Sequence, residues 1–210
     1  MSTQLRVMEI PESGANAALL AEAAAVLRDG GVIVAPTETV YGVMTLWDNA
    51  QGCERIYELK QRDESKPLQM LAYDFDMILA AGVEETPKLR AIAESFWPGP
   101  LTVVCRTKDG GSVGARIPAE SFARALLKEL GSPVAASSAN RSGQPTPATA
   151  TEAAESLVGT PELVVEGPVP LTGQASTVLS LLDYDPEILR QGTILRGQII
   201  DALRRYGLRR

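Results

Sequence analysis

The 210-residue chain contains no histidine. That absence removes every mechanism that needs an imidazole base, a Ser-His-Asp triad or a histidine-bound metal. Cysteine occurs only as Cys53 and Cys105, with no CxxC spacing, so neither a zinc site nor a disulfide scaffold is expected, and a reducing cytoplasm fits. Residues 1–14, "MSTQLRVMEIPESG", hold no apolar signal core, and no apolar run approaches the roughly 20 residues of a membrane span. The two common phosphate loops are missing: no GxxxxGK[ST] occurs, and no GxGxxG follows a strand. Positive charge is in deficit, 20 Lys and Arg against 26 Asp and Glu, for a net −6. A basic whole-surface footprint for nucleic acid is therefore absent, and any anionic ligand must be met by a local cluster.

What is present suits one buried core. With 45% hydrophobic and 22% charged residues, a single domain over 1–210 is expected, with no further C-terminal domain. Short β-like runs stand at 5–10, 32–35, 43–47, 67–73, 101–106, 113–118, 133–139, 162–167, 176–183 and 187–192. Helical patterns stand at 13–31, 49–60, 86–97, 120–131, near 150–157 and at 198–207. The interleaving predicts an α/β fold. Several neighbouring strands lack a helix between them, so the sheet should be mixed.

Three polar clusters follow apolar runs, where α/β folds commonly build sites. "PTETVY" (36–41) ends a strand in hydroxyls. "KQRDESKP" (60–67) gathers Lys60, Arg62 and Lys66, either as a solvated helix end or as a phosphate clamp. "SSANRSG" (137–143) is either an Asx- and Ser-stabilised turn or a nest of donors for an anion. Arg116 in "GARIP" and Arg190 in "ILRQG" each interrupt an apolar pattern, and a buried guanidinium needs a carboxylate of the protein or of a ligand. Trp97 in "FWPGPLT" reads as a corner plug between helix and strand.

Together the segments "GGVIVAPTETVYG", "IYELKQRDESKPL", "FWPGPLTVV", "GARIP", "SSANRSGQPTP", "STVLSL" and "ILRQGTI" resemble the YrdC/TsaC family of threonylcarbamoyl-AMP synthases, in the family's order over about residues 15–195. The resemblance implies a twisted mixed sheet with surrounding helices and a concave, positively lined face. It implies an enzyme, a nucleotidyltransferase. L-threonine, bicarbonate and ATP are condensed to threonylcarbamoyl-AMP with release of pyrophosphate, and partner proteins then transfer the threonylcarbamoyl group to tRNA. Carried over by position, Thr39, Arg116 and Ser176 are the implied threonine contacts. Lys60, Arg62, Lys66, Ser112, Ser138, Asn140, Thr146 and Arg190 are the implied nucleotide contacts, with Lys60 and Arg62 closest to the chemistry. Thr37 and Tyr41 would join Thr39 in lining the amino-acid pocket. Magnesium is expected to be held by ATP phosphates, with no protein metal site. The chain departs from the family pattern at Lys66, Leu71 and Ser137, where many members have Asn, His and Pro. Two other readings stay open: a double-stranded RNA or tRNA binding module with weak contacts and no chemistry, and an enzyme forming a different carbamoyl adenylate.

Overall fold

The computed structural model describes residues 5–167 and 172–208. In chain order the elements are β1 (Val7–Glu9), α1 (Ala17–Arg28), β2 (Ile33–Ala35), β3 (Gly42–Leu46), α2 (Ala50–Lys60), β4 (Gln69–Leu71), α3 (Phe75–Ala80), α4 (Pro87–Phe96), β5 (Leu101–Arg106) and β6 (Ser112–Arg116). They continue with α5 (Ser121–Leu130), β7 (Val134–Ser138), α6 (Ala150–Glu155), β8 (Leu163–Glu166), β9 (Thr177–Ser180), β10 (Glu187–Arg190) and α7 (Arg196–Arg205). Among the described residues ten strands join one sheet in the order β1-β8-β2-β3-β7-β4-β6-β5-β9-β10. Parallel pairings (β1 with β8, β2 with β8, β4 with β6, β5 with β9) mix with antiparallel ones, as the helix-free connections predict.

Local chemistry sets the helix bounds. Asn16, Asn49, Asp74 and Thr86 each accept a backbone N–H through the side chain at the start of α1, α2, α3 and α4. Gly131 closes α5 in the left-handed conformation, φ 64°. The sequence reading has no α3. It takes residues 67–73 as one strand, whereas only Gln69–Leu71 pair and the Asp74 cap then turns the chain into a short helix.

Two halves of the sheet are covered differently. On the half around β2, β3 and β7, one face packs with α1 and α5 through Leu19, Leu27, Phe122 and Leu127. The other face packs with α2 and α6 through Ile56, Leu59, Ala150 and Ala153. On the half around β4, β6, β5 and β9, Leu101, Val103, Cys105, Val113, Ala115 and Leu179 form a core with residues of α4 and α7 on one face only. Side chains alternate across a strand, so Thr102, Val104, Ser112, Gly114, Arg116 and Val178 face the opposite way. There they line a cavity.

Candidate functional site

That cavity has a volume of about 270 Å³. It lies on the uncovered face of the middle strands, walled by the β2–β3 connection and the chain after α2. Of the residues singled out from the sequence, Thr39, Arg116 and Ser176 line it, and so do Arg62, Ser112, Ser138 and Arg190. Among the described residues no Asp or Glu lines it. Three guanidiniums therefore converge without a carboxylate on the wall. Burial pushes each below its ordinary value, with Arg62 adding at Arg190. An acidic chain thus carries the local positive cluster that an anionic ligand requires.

Arg116 is the most enclosed of the three, 2% exposed. Its Nη1 lies 3.2 Å from Glu38 Oε1 and donates to Thr39 Oγ1 at 2.9 Å. The Nε is buried and has no partner among the described residues. Glu38 was missed in the sequence. Its signal is a lone acid inside a hydroxyl and apolar run, and it answers which carboxylate partners Arg116: one of the protein's own. Its other oxygen accepts the Ala119 N–H at 3.1 Å.

The hydroxyls of "PTETVY" divide their work. Thr37 Oγ1 donates to the Val40 carbonyl at 2.6 Å and lies 2.9 Å from Thr39 Oγ1, so it closes a turn. Thr39 in turn steadies Arg116. The Tyr41 hydroxyl is 3.0 Å from both Glu166 Oε1 and the Gly167 carbonyl, tying β3 to the end of β8; burial pushes its pKa up to about 12. All three residues line the cavity, as the sequence leads one to expect, and the Thr37 and Tyr41 hydroxyls donate inside the protein.

Arg62 follows α2, where Gln61 adopts a left-handed conformation (φ 47°) and turns the chain toward the cavity. Its guanidinium donates to the carbonyls of Lys66 and Pro67 at 2.9 and 3.2 Å. It thereby holds its own loop while facing the cavity. Arg190 donates through Nε to the Ser176 carbonyl at 3.1 Å and through Nη2 to Ser176 Oγ at 3.2 Å.

Four predicted residues lie outside the cavity lining. Lys66 is exposed, and Thr146 is exposed in the loop between β7 and α6. Lys60 is buried and donates to the carbonyls of Ser138 and Asn140, the latter at 2.6 Å. Burial, reinforced by Arg62, pushes its ammonium down to about 8. Asn140 donates to the carbonyls of Arg141 and Gln144 at 3.0 and 2.7 Å, and its buried Oδ1 has no partner among the described residues. Lys60 and Asn140 thus shape the loop that presents Ser138. Leu71 lines the cavity as an apolar wall. Gln69 and Thr102 also line it, and the sequence reading passed over both.

No group of three or more Cys, Asp or Glu residues able to hold a metal occurs among the described residues. No described helix is long and apolar enough to cross a membrane.

Fold and cavity together define a mixed α/β domain with an arginine-lined pocket for an anionic ligand. The family model for Sua5, YciO and YrdC, described as "Telomere recombination", matches residues 25–192, and the chain belongs to that family. The threonylcarbamoyl-AMP synthase of Bacillus subtilis (strain 168) is 36% identical over 198 residues, covering 90% of this chain and 57% of the relative. The crystal structure of P. abyssi Sua5 complexed with L-threonine is 30% identical with a TM-score of 0.86, covering 96% of this chain and 61% of that one. E. coli YciO, 24% identical, shares the fold with a TM-score of 0.81 over 95% of this chain and 100% of its own. The chain spans little more than half the length of the curated relatives it matches.

Proposed function

We propose that this domain is a threonylcarbamoyl-AMP synthase, condensing L-threonine, bicarbonate and ATP. The observation that carries the reading is the convergence of Arg62, Arg116 and Arg190 on one carboxylate-free cavity in an acidic chain. The similarity to relatives of that name, and to a Sua5 structure holding L-threonine, supports it.

In this reading Arg116, fixed by Glu38 and Thr39, receives the threonine carboxylate, and Ser176 contacts the rest of the amino acid. Arg62, Arg190, Ser112 and Ser138 receive the nucleotide. Lys66 and Thr146, exposed and outside the cavity lining, would reach the nucleotide from their own loops, and Lys60 and Asn140 hold the Ser138 loop in place. Threonine's amine attacks the bicarbonate carbon, and water is lost to give N-carboxythreonine. The carbamate oxygen then attacks the α-phosphorus of ATP, and pyrophosphate leaves. Positioning and offset of charge carry the catalysis, since guanidiniums aimed at phosphate oxygens stabilise charge as it shifts to the leaving group. The wall offers cations and hydroxyls, a donor set suited to phosphate, so magnesium would be held by ATP oxygens and water and would screen their charge. The product would pass to threonylcarbamoyl-transfer proteins that modify tRNA in the cytoplasm. Direct contact with tRNA would be weak at a net charge of −6. The test is pyrophosphate release from ATP with purified protein. It should require both threonine and bicarbonate, and release that ignores the amino acid would overturn the reading.

A further inference from the structure

Gln69, Thr102, Ser176 and Arg190 form an unbroken hydrogen-bonded row across the cavity floor. The strands beneath it run in the order β4-β6-β5-β9-β10. Arg190 Nη2 lies 3.2 Å from Ser176 Oγ, Ser176 Oγ lies 2.8 Å from Thr102 Oγ1, and Thr102 Oγ1 lies 2.9 Å from Gln69 Oε1. Gln69 and Thr102 stand on strands that are not neighbours, because β6 runs between them. They meet because the intervening residue is Gly114. A Cβ there would lie 3.3 Å from Thr102 Cγ2 and 3.9 Å from Gln69 Cβ.

The row has a direction. A guanidinium only donates, whereas a hydroxyl both donates and accepts. Arg190 gives to Ser176, and Thr102 spends its one proton on Gln69 Oε1, so the proton shared between Ser176 and Thr102 comes from Ser176. In the structure the Gln69 amide oxygen faces the row and its Nε2 does not. No hydrogen bond among the described residues engages that Nε2. Ser176, its own proton committed to Thr102, keeps an accepting lone pair. Both residues line the cavity and both lie within 2.9 Å of the single Thr102 hydroxyl, so their open polar groups flank one spot.

We propose that Gln69 is a specificity-determining residue, donating an amide N–H to the side-chain hydroxyl oxygen of the bound amino acid while Ser176 accepts that hydroxyl's proton. The inference rests on the reading that the amino acid is threonine. A hydroxyl is then recognised from both sides, as donor and as acceptor, and an analogue without it leaves two polar groups unpaired. Thr102 touches no substrate in this scheme. It is a positioning residue that fixes which end of the Gln69 amide faces inward.

The experiment compares threonine with 2-aminobutyrate, which lacks the hydroxyl, by calorimetric binding and by pyrophosphate release. The proteins are the unmutated chain, Gln69→Met, Gln69→Glu, Thr102→Val and the Gln69→Met/Thr102→Val double variant. Gln69→Met should lower the threonine preference about tenfold or more and leave the KM for ATP unchanged. Gln69→Glu, whose inward oxygen cannot donate, should lower it at least as far. Thr102→Val should weaken the preference too, and the double variant should be no worse than the poorer single one, because both changes break the same row. Should Gln69→Met not fold, Gln69→Glu and Thr102→Val decide. An unmutated chain that binds neither amino acid overturns the threonine reading and this inference together. If it binds threonine and releases pyrophosphate, yet the folded variants keep the full preference, this inference alone is overturned.

Discussion

Arg116 meets Glu38 through a single nitrogen, Nη1 to Oε1 at 3.2 Å, with both side chains almost wholly buried. The pair leaves the buried Nε without a partner among the described residues. The guanidinium is held in place without being saturated, as an anchor for an incoming carboxylate must be.

Glu38→Gln keeps the shape of that carboxylate and removes its charge, leaving Arg116 as an uncompensated buried cation. Breaking one side of a buried pair costs about 3–5 kcal/mol. Urea unfolding should show a loss of that size, partly restored by saturating threonine, whose carboxylate supplies the missing charge. A loss below about 1 kcal/mol, the worth of an exposed pair, would contradict the assignment.

Lys60 bridges the carbonyls of Ser138 and Asn140 from within the core. Lys60→Met leaves both acceptors unpaired, at about 1–3 kcal/mol each, and should weaken nucleotide binding by loosening the Ser138 loop. The lysine also carries a pH signature. Its pKa is about 8 in the fold against an ordinary 10.5, so between those values the unfolded chain binds more protons. Its contribution to stability is present above about 10.5 and is lost as pH falls through about 8. Unfolding free energies at pH 7 and pH 9.5 should therefore rise more in the unmutated chain than in Lys60→Met. Equal slopes would mean the ammonium is not perturbed.

Arg62 faces the cavity and also clasps the carbonyls of Lys66 and Pro67. Removing a charged partner of a phosphate costs about 1.5–3 kcal/mol, roughly ten- to hundredfold in affinity. Arg62→Ala should lose that much in ATP affinity by calorimetry. Arg62→Lys keeps the charge but not the planar fork, so it should fall between the two. Unchanged ATP affinity in Arg62→Ala would remove Arg62 from the nucleotide site.

Gly114 leaves room for the Thr102–Gln69 contact. In Gly114→Ala the new methyl meets Thr102 Cγ2 at 3.3 Å, so a neighbour must shift by a few tenths of an ångström. Threonine affinity should fall several-fold while ATP affinity holds. Equal loss for both ligands would point to general damage to the cavity floor.

The sequence carries the fold class and the polar clusters, because period-two alternation and loop chemistry are local signals. In "SVGARI" the apolar Val113, Ala115 and Ile117 go to the core, while Ser112, Gly114 and Arg116 face the cavity. Pairings set by tertiary contact are not local. Glu38 and Arg116 are 78 residues apart, Lys60 and Asn140 are 80 apart, and Thr102 and Ser176 are 74 apart. The sequence names Lys60 as a charge beside Arg62 and cannot tell that its ammonium turns inward to carbonyls rather than outward to a ligand. Gln69 sits in an apolar run and shows nothing until Gly114 brings Thr102 within reach. Helix α3 escapes for a different reason: six residues are too few for a helical period to stand out from a strand end.

In the proposed function the arginine-lined cavity joins N-carboxythreonine to the α-phosphate of ATP. Mass spectrometry of purified protein incubated with ATP, magnesium, L-threonine and bicarbonate tests it directly. Threonylcarbamoyl-AMP and pyrophosphate should form in equal amounts, abolished by omitting either threonine or bicarbonate and strongly reduced in Arg116→Ala. Absence of the adduct, or formation instead of carbamoyl-AMP only when carbamoyl phosphate replaces threonine and bicarbonate, would overturn the proposed function.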